Sequence, residues 1–475
     1  MRQSLEIASL IAFGYFALLN TTYLVFTCVA WRDVTRYRRT RSYAGVEEAF
    51  ASPLTPPITV IVPAYNEEAG IVESVRSLLA LRYPEFEVIV VNDGSTDATV
   101  GKLAEAFELL PVRKALRRTI PTARVRAAYA SRRHHELWVI DKENGGKADA
   151  LNAGINAARY PYFCVLDSDA VLEEDALLHV AKPMLDDPDL VAATGGIVRI
   201  VNGSRVDHGR VVDIGLPKSW LATVQVVEYF RAFLVGRIGW SRMRSLLIIS
   251  GAFGLFRRNV VEAAGGFSTR TITEDLELVV RLHRYLHSRG EDYRIAFVPD
   301  PVAWTEAPED LRTLRRQRAR WQQGLGESLW HHRRMAGNPR YGAVGLAAVP
   351  YFVVFELLGP VVELLAYAVI ATSVALGAVS LTFLGAFLAA AILAGFFLSL
   401  SALALEEFSF RRYVRGREVG RLLMAAVIEN FGYRQLLALW RTLALVDLAR
   451  GRRAWGEMRR RGLGYAPVGG PSGGR

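Results

Sequence analysis

Uncharged apolar stretches lie near both ends of the chain. No charged residue occurs from residue 7 to 31, and none occurs from 364 to 405. A helix rises about 1.5 Å per residue and the hydrocarbon core of a bilayer is about 30 Å thick, so the first stretch is long enough for one crossing and the second for two crossings joined by a tight turn. The pattern predicts a transmembrane anchor with a basic linker over 1–52 and two transmembrane helices over 363–406.

Two further apolar segments are interrupted by polar residues or prolines. Residues 341–362 contain Pro350 and Glu356, and counting them as a crossing would place the basic residues after the transmembrane pair outside, against the tendency of such residues to stay in the cytoplasm. They are therefore predicted to be interfacial or re-entrant, at the end of amphipathic helices over 309–362. Residues 422–446 predict a similar hairpin within a basic region over 407–449. Ionisable residues at membrane depth are either functional or solvated at the interface, and those singled out here are Glu356, Glu363, Glu429 and Arg434.

The excess positive charge lies beside the apolar segments. The net charge is +11, and basic clusters follow the first span at 31–41, the transmembrane pair at 411–421 and the last apolar segment, where a basic cytoplasmic tail is predicted over 450–475. Basic flanks mark the cytoplasmic side of a membrane segment. The charge therefore predicts a multi-pass protein of the cytoplasmic membrane rather than a nucleic-acid-binding protein. Another basic stretch, 111–133, is either a solvated loop or a flap on anionic lipid headgroups.

Between the apolar ends, short apolar runs alternate with helical patterns. Strands are predicted at 58–63, 86–93, 137–141 and 163–166, with one helix beginning at 64 and another over 147–158. This alternation predicts a Rossmann-like α/β domain with a mostly parallel sheet, lying in the cytoplasm over 53–308. The later pattern predicts strands at 190–201 and 246–256, the second interrupted at Ser250–Gly251, and helices at 219–236, 276–286 and 312–334.

Two carboxylates follow the strand at 163–166. Asp167 and Asp169 come directly after its apolar run, and ligands of α/β sheets bind at the carboxyl ends of the strands. Two hard oxygen ligands there suit Mg²⁺ or Mn²⁺, with the remaining oxygens supplied by water and substrate phosphates. The alternative is a surface turn with two solvated aspartates. The two cysteines, Cys28 and Cys164, favour neither a disulfide framework nor a zinc site.

Three other polar clusters accompany this pair in the same domain. Asp93 ends the strand at 86–93, Glu274 and Asp275 begin a helix after Thr273, and a Q-x-x-R-W pattern lies in the helix at 312–334. Taken singly, Thr273 and the acidic pair are explained by helix capping, with Thr273 as the N-cap, and the Q-x-x-R-W helix by a membrane-surface helix with extended arginines. Their order and spacing between membrane segments make a more specific signal.

In these motifs, residues 59–321 resemble the inverting family 2 glycosyltransferases with a GT-A fold. They look specifically like the processive membrane branch, which includes the cellulose, chitin, hyaluronan and poly-N-acetylglucosamine synthases. The segments 249–254, 265–267 and 429–434 are most similar to the poly-N-acetylglucosamine subgroup. The resemblance implies a processive enzyme that polymerises a UDP-sugar into a β-linked exopolysaccharide and moves it across the cytoplasmic membrane of a bacterium.

The resemblance also implies a role for each motif residue. Asp275 would be the catalytic base, with Glu274 beside it, and Asp169 with Asp167 would bind Mg²⁺ or Mn²⁺. The residues implied to bind the nucleotide sugar are Tyr65, Glu67, Asp93, Lys147, Asp167, Gln317, Arg320 and Trp321. Those implied to bind the acceptor are Ser250, Gly251 and Trp321. Lys147 is equally well read as a solvated loop lysine.

The partners implied are a UDP-sugar donor, a growing polysaccharide, the lipid bilayer and accessory export subunits, with no nucleic acid. One alternative transfers a single sugar to a polyprenyl-phosphate lipid. Another is a non-catalytic membrane transport or binding component with a degenerate transferase domain. The Q-x-x-R-W motif favours processivity, while the intact Asp167, Asp169 and Asp275 argue against a degenerate domain.

Overall fold

A mixed β-sheet forms the centre of the protein. The computed structural model describes residues 2–41, 55–207, 209–377, 380–410, 413 and 415–452. Within these residues the strands are β1 Ile58–Ala64, β2 Phe86–Asp93, β3 Leu109–Val112, β4 Val125–Ser131, β5 Leu137–Lys142, β6 Tyr162–Leu166, β7 Val171–Leu172, β8 Val191–Ile200, β9 Arg205–Asp207, β10 Arg210–Asp213, β11 Phe253–Arg257 and β12 Arg294–Thr305.

Ten of these strands share one sheet, in the order β3-β4-β5-β2-β1-β6-β11-β8-β12-β7. The pairings make seven of the ten run in one direction, with β4, β11 and β7 opposed. The centre is parallel and buried on both faces, as the continuous burial of β1 and β2 shows, and such strands read as unbroken apolar runs. The predicted α/β fold with a mostly parallel sheet is confirmed.

Helices cover the sheet and extend from both ends of the domain. They are α1 Arg2–Arg41, α2 Ile71–Leu79, α3 Thr99–Phe107, α4 Lys147–Ala157, α5 Ala176–Asp186, α6 Trp220–Phe230, α7 Ile238–Arg242, α8 Arg258–Ala263, α9 Glu274–Ser288, α10 Leu311–His331, α11 Val349–Tyr351, α12 Gly359–Ala375, α13 Leu381–Ser409, α14 Gly416–Ile428 and α15 Arg434–Ala449. A π-helical segment, Arg231–Arg237, joins α6 to α7, and another, Glu429–Tyr433, joins α14 to α15.

Among the residues that the structure describes, two or three helical segments are long and apolar enough to cross a membrane. Two are single helices, Ile7–Arg39 and Ala391–Ser409. The third is a bent pair, Val344–Leu357 followed by Gly359–Ala375 at 47°, which is either a broken span or a re-entrant loop. The bend falls in the segment where the prolines and Glu356 predicted an interruption, since proline removes a helical hydrogen bond. The domain boundaries and the side of the membrane stay predictions.

Three local predictions are wrong. Residues 64–68 do not begin a helix: Asn66 has a positive φ of 55°, and α2 starts only at Ile71. The first half of the predicted strand at 246–256 is irregular, and only β11 pairs. The ends of the basic stretch at 111–133 are paired rather than looped, since β3 and β4 form an antiparallel edge of the sheet.

Buried ion pairs fix the C-terminal helices to the α/β domain. Arg199 on β8 pairs with Glu406 on α13 at 2.5 Å, and both side chains are almost completely buried. Arg231 pairs with Glu429 at 2.7 Å and also donates to Ser399. Breaking one partner of such a pair costs about 3–5 kcal/mol. The membrane helices and the sheet are therefore held in one arrangement.

Candidate active site

One cavity of about 1000 Å³ gathers most of the predicted site residues. It lies where β6 ends, beside the start of α9 and along α10. Ten of the predicted residues line it: Lys147, Asp167, Asp169, Ser250, Gly251, Glu274, Asp275, Gln317, Arg320 and Trp321. The other three, Tyr65, Glu67 and Asp93, do not line it. Motifs far apart in sequence thus meet around one cavity.

Lys147 connects two of the acidic motifs. It is the first residue of α4, and its Nζ lies 2.6 Å from Asp167 Oδ1 and 3.0 Å from Glu274 Oε1. Burial alone would lower the pKa of Lys147, but the negative charges of Asp167, Glu274 and Asp275 outweigh burial, so this pKa is raised above its ordinary value. Lys147 is therefore a fixed cation of the cavity and not a solvated loop lysine.

Asp275 is held in one orientation by two backbone N–H groups. Its Oδ2 accepts the N–H of Gly251 at 2.8 Å, and its Oδ1 accepts the N–H of Leu276 at 2.8 Å. Burial raises the pKa of Asp275 and the charge of Glu274 raises it further, while Lys147 and the two N–H groups act in the opposite direction, leaving it above the ordinary aspartate value. A carboxylate oriented in this way can accept the proton of a hydroxyl bound in the cavity.

Gly251 allows the close approach that this arrangement needs. A Cβ added at this position would lie 3.0 Å from Asp275 Oδ2 and 3.3 Å from Lys147 Nζ. The irregular segment before β11 therefore brings the backbone of Gly251 against the acid–lysine centre, which is formed by Lys147, Asp167, Glu274 and Asp275. The hydroxyl of Thr273, predicted to cap α9, makes no capping bond, and a Cβ at Gly324 on α10 would collide with Thr273.

Asp93 lies beside the cavity wall and is held by its neighbours. Its carboxylate accepts from Lys142 Nζ and from the N–H groups of Gly145 and Gly146, at 3.0 and 2.7 Å. These glycines immediately precede Lys147, so the Asp93 loop contacts connect β2 to the cavity. A carboxylate has about four acceptor positions, and these three donors leave room for one more.

Lys142 was not predicted. It is fully buried at the end of β5 and also pairs with Asp149 at 2.7 Å. Its only sequence signal is a lysine directly after a buried strand.

The loop after β1 carries the other two predicted residues: Tyr65 is 46% exposed, and Glu67 Oε1 accepts from Ser168 Oγ at 2.9 Å. Glu67 thus contacts the residue between Asp167 and Asp169.

The Q-x-x-R-W motif presents three side chains from α10. Gln317 is buried and Trp321 is 38% exposed, and Arg320 makes no ion pair with any residue that the structure describes. Arg318, which was not predicted, forms a bidentate ion pair with Glu228 on α6 at 2.7 and 2.8 Å. Its guanidinium lies 4.7 Å from the centroid of the Trp321 ring.

The donor set fits a hard divalent cation that takes ligands from its substrate. Asp167 and Asp169 both line the cavity, while no group of three or more His, Cys, Asp or Glu side chains among the described residues could hold a metal ion. Mg²⁺ and related ions are often held by one or two carboxylates plus substrate phosphates and water. The chemistry of the two aspartates suits such a partial site and not a closed protein cage.

Comparisons with known proteins agree with this geometry. The family model described as "Glycosyltransferase like family 2" matches residues 56–324. The poly-beta-1,6-N-acetyl-D-glucosamine synthases of Staphylococcus epidermidis and Staphylococcus aureus (strain COL) are 32% and 34% identical over 275 residues, which is 57% of this chain and 55% of each relative. The match therefore spans about half the length of these curated relatives.

A solved structure shows the same fold. It is a mannosyltransferase from Pyrobaculum calidifontis in complex with GDP-Man and Mn2+, with a TM-score of 0.50 and 21% identity, and the alignment covers 87% of this chain and 99% of that one. The sheet order, the cavity with its acidic motifs and the family match over more than half of the chain lead to one conclusion: this chain is a family 2 glycosyltransferase with a GT-A-like fold, flanked by apolar helices.

Proposed function

We propose that this chain polymerises a UDP-sugar into a β-linked polysaccharide at the cytoplasmic face of a bacterial membrane and passes the product into its membrane helices. The observation that carries the proposal is the extent of the cavity. From the acid–lysine centre it continues past aromatic side chains of the membrane-associated helices, as far as Glu356 and Arg441. The aromatic residues along it are Tyr23, Phe26, Tyr229, Phe233, Trp240, Trp321, Tyr351 and Phe352.

The proposed reaction is a single in-line displacement. An acceptor hydroxyl oxygen attacks the anomeric carbon of the donor, the bond from that carbon to the diphosphate oxygen breaks, and UDP leaves with the bonding electron pair. Asp275 accepts the hydroxyl proton, and the backbone N–H of Gly251 keeps its carboxylate oriented. Because one displacement inverts the anomeric centre, one base is sufficient.

The remaining side chains bind and orient the two substrates. Asp167 and Asp169 would hold Mg²⁺ or Mn²⁺, which would neutralise the charge that develops on the departing diphosphate. Arg320, which has no ion-pair partner within the described chain, is suited to bidentate binding of the diphosphate. Trp321 offers a partly exposed ring to the acceptor sugar in the cavity that Ser250 and Gly251 also line. Asp93 has one acceptor position left for the imide N–H of uracil, and the exposed ring of Tyr65 would stack on the base or hold the ribose.

The relatives name the first donor to test. Since they are called poly-N-acetylglucosamine synthases, UDP-N-acetylglucosamine is the proposed substrate. Several apolar helices and basic flanks support a membrane location with the α/β domain in the cytoplasm, and accessory export subunits stay within the proposal as partners.

The size of the product tests this function. Purified protein in detergent is incubated with Mn²⁺ and a panel of UDP-sugars, and products are separated by length and digested with linkage-specific glycosidases. A ladder of β-linked oligosaccharides supports the proposal. A lipid-linked monosaccharide as the sole product would replace it with transfer to a polyprenyl-phosphate carrier, and absence of UDP release would reject both.

A further inference from the structure

An exposed turn of basic and aromatic side chains follows α10. Trp330, in the last turn of that helix, is 69% exposed. Arg333, Arg334 and Arg340 come after it, and all three side chains are exposed to solvent. None of these arginines forms an ion pair with any residue that the structure describes. This basic turn, residues 330–340, therefore presents three guanidinium groups and one indole ring to its surroundings.

The basic turn packs against the start of the bent helix pair. The N–H of Gly337 donates to the carbonyl oxygen of Gly345 at 2.9 Å, and a Cβ added at Gly345 would lie 2.2 Å from the carbonyl oxygen of Asn338. Gly345 belongs to the first turn of Val344–Leu357, the apolar first half of that pair, and Leu346 beside it is 56% exposed. Whether the pair crosses the membrane or re-enters, its first turn is where the chain meets lipid. The basic turn therefore lies at the level of the lipid headgroups.

Exposed arginines elsewhere on the α/β domain do have an acid beside them. Arg133 pairs with Glu108 at 2.6 Å, and Arg244 pairs with Asp292 at 3.1 Å. In the basic turn three cations lie within eight residues of one another without such acids in the described chain, and like charges this close repel each other. An anion from outside the chain would remove that repulsion, so the charge of the turn is complementary to an anionic surface.

We propose that the basic turn is a docking surface for anionic phospholipid headgroups. A guanidinium group binds phosphate oxygens bidentately, and basic residues beside a membrane are attracted to anionic lipids. An indole ring suits the boundary between headgroups and acyl chains. The guanidinium carbon of Arg333 lies 4.9 Å from the centroid of the Trp330 ring, so the cation and the ring engage the same layer. Docking would hold the end of α10 at the membrane surface. The inference rests on the proposed membrane location and not on the sugar-transfer reaction.

Quenching of tryptophan fluorescence by brominated lipids tests this surface. The full chain is placed in nanodiscs of phosphatidylcholine that contain an equal fraction of either dibrominated phosphatidylcholine or dibrominated phosphatidylglycerol, which is anionic. The contribution of Trp330 is the signal that Trp330→Phe removes in each background. The charge variant combines Arg333→Gln, Arg334→Gln and Arg340→Gln. The matched control makes the same change of charge at three arginines that pair with surface acids, Arg133→Gln, Arg210→Gln and Arg244→Gln.

The expected result is a preference for the anionic lipid that depends on the three arginines. In the unaltered protein the Trp330 contribution is quenched at least about twice as strongly by the anionic lipid as by the zwitterionic one, because each arginine near the surface favours anionic lipid. In the charge variant both lipids quench it equally. The control variant keeps the preference of the unaltered protein.

Three results would overturn the inference while other tryptophans are still quenched. They are equal quenching of the Trp330 contribution by both lipids in the unaltered protein, a preference that survives in the charge variant, and no quenching of Trp330 by either lipid, which would leave the basic turn to a protein partner. Should the charge variant fail to enter nanodiscs, Arg333→Gln alone is measured and is expected to lose part of the preference. If neither lipid quenches any tryptophan, the proposed membrane location is rejected as well, and UDP release in the same discs reports separately on the transferase.

Discussion

Replacing Glu228 by glutamine tests whether a buried ion pair holds the ring of Trp321, the proposed acceptor-binding residue, in place. Glu228 receives both Nη atoms of Arg318 and, through Oε2, the hydroxyl of Tyr433 at 2.9 Å. Arg318 in turn lies against the Trp321 ring. The carboxylate thus joins α6, α10 and the kink before α15, and Glu228→Gln removes its charge with almost no change of volume.

The expected magnitude follows from the burial of the pair. The Arg318 and Glu228 side chains are 7% and 21% exposed, and breaking one partner of a buried pair costs about 3–5 kcal/mol of unfolding free energy. Glu228 is partly accessible, so the lower end, about 3 kcal/mol, is expected. Tyr433→Phe is the matched control, because it removes only one hydrogen bond to the same carboxylate and leaves the ion pair intact, which should cost about 1.5 kcal/mol.

Two measurements on detergent-purified protein check this prediction. Denaturant unfolding gives the stability difference, and UDP release is followed as a function of acceptor oligosaccharide concentration. Since the change acts on Trp321 and not on Asp275, the acceptor KM should rise about tenfold, the equivalent of about 1.4 kcal/mol, with little change in kcat. A Glu228→Gln protein that is no less stable than Tyr433→Phe, with an unchanged acceptor KM, would show that the Glu228–Arg318 ion pair does not hold the Trp321 ring in place.

Three further predictions concern the acidic centre. Gly251→Ala places a methyl group 3.0 Å from Asp275 Oδ2. Because small displacements of a catalytic group are costly, kcat should fall at least about tenfold while the protein still folds. An unchanged kcat would argue against Asp275 as the base. In the pH profile of kcat/KM, activity should be lost as pH falls through the raised pKa of Asp275, which lies above the ordinary aspartate value of about 3.9 because of burial and the charge of Glu274. Glu274→Gln removes that charge and should move this acidic limb to lower pH. A limb that does not move would show that Glu274 does not raise the pKa of Asp275. Lys142→Met leaves Asp93 and Asp149 buried without their cation and should lower the unfolding free energy by about 3–5 kcal/mol, as measured by denaturant titration. The surface change Arg133→Met is the control and should not cause this loss.

The sheet and the acidic motifs were predictable because their signals are local. The apolar run before Asp167 is itself the buried strand, and the start of α9 at Glu274 follows from residues within one turn. Parallel strands bring their carboxyl ends to one edge, which predicts that Asp93 and Asp167 lie at the same edge of the sheet. That Asp275 and the Q-x-x-R-W helix also meet there was implied by the resemblance to the family 2 glycosyltransferases. Lys147, at the start of α4, follows the carboxyl end of the parallel strand β5 and therefore lies at the same edge of the sheet.

The partners that hold these residues could not be predicted, because they depend on long-range contacts. Arg318 and Glu228 are 90 residues apart, and nothing near either one signals the other. Lys142 looks like the polar residue that ends a strand, and its burial appears only when β2 and β5 pair. The wrong helix start at 64 has the same origin: Asn66 Oδ1 accepts the N–H of Thr96 from the next loop at 2.9 Å, which favours the left-handed turn over a helix.

The most direct test of the proposed mechanism measures UDP release by purified protein with UDP-N-acetylglucosamine and Mn²⁺. It compares the unaltered chain, the unaltered chain with EDTA, and Asp275→Asn. We expect Asp275→Asn and EDTA each to lower turnover at least about 100-fold, the contribution of a positioned general base being 10²–10⁴, while Asp275→Asn still binds UDP as the unaltered protein does. Full turnover in Asp275→Asn would contradict the assignment of the base, and with it the proposed mechanism.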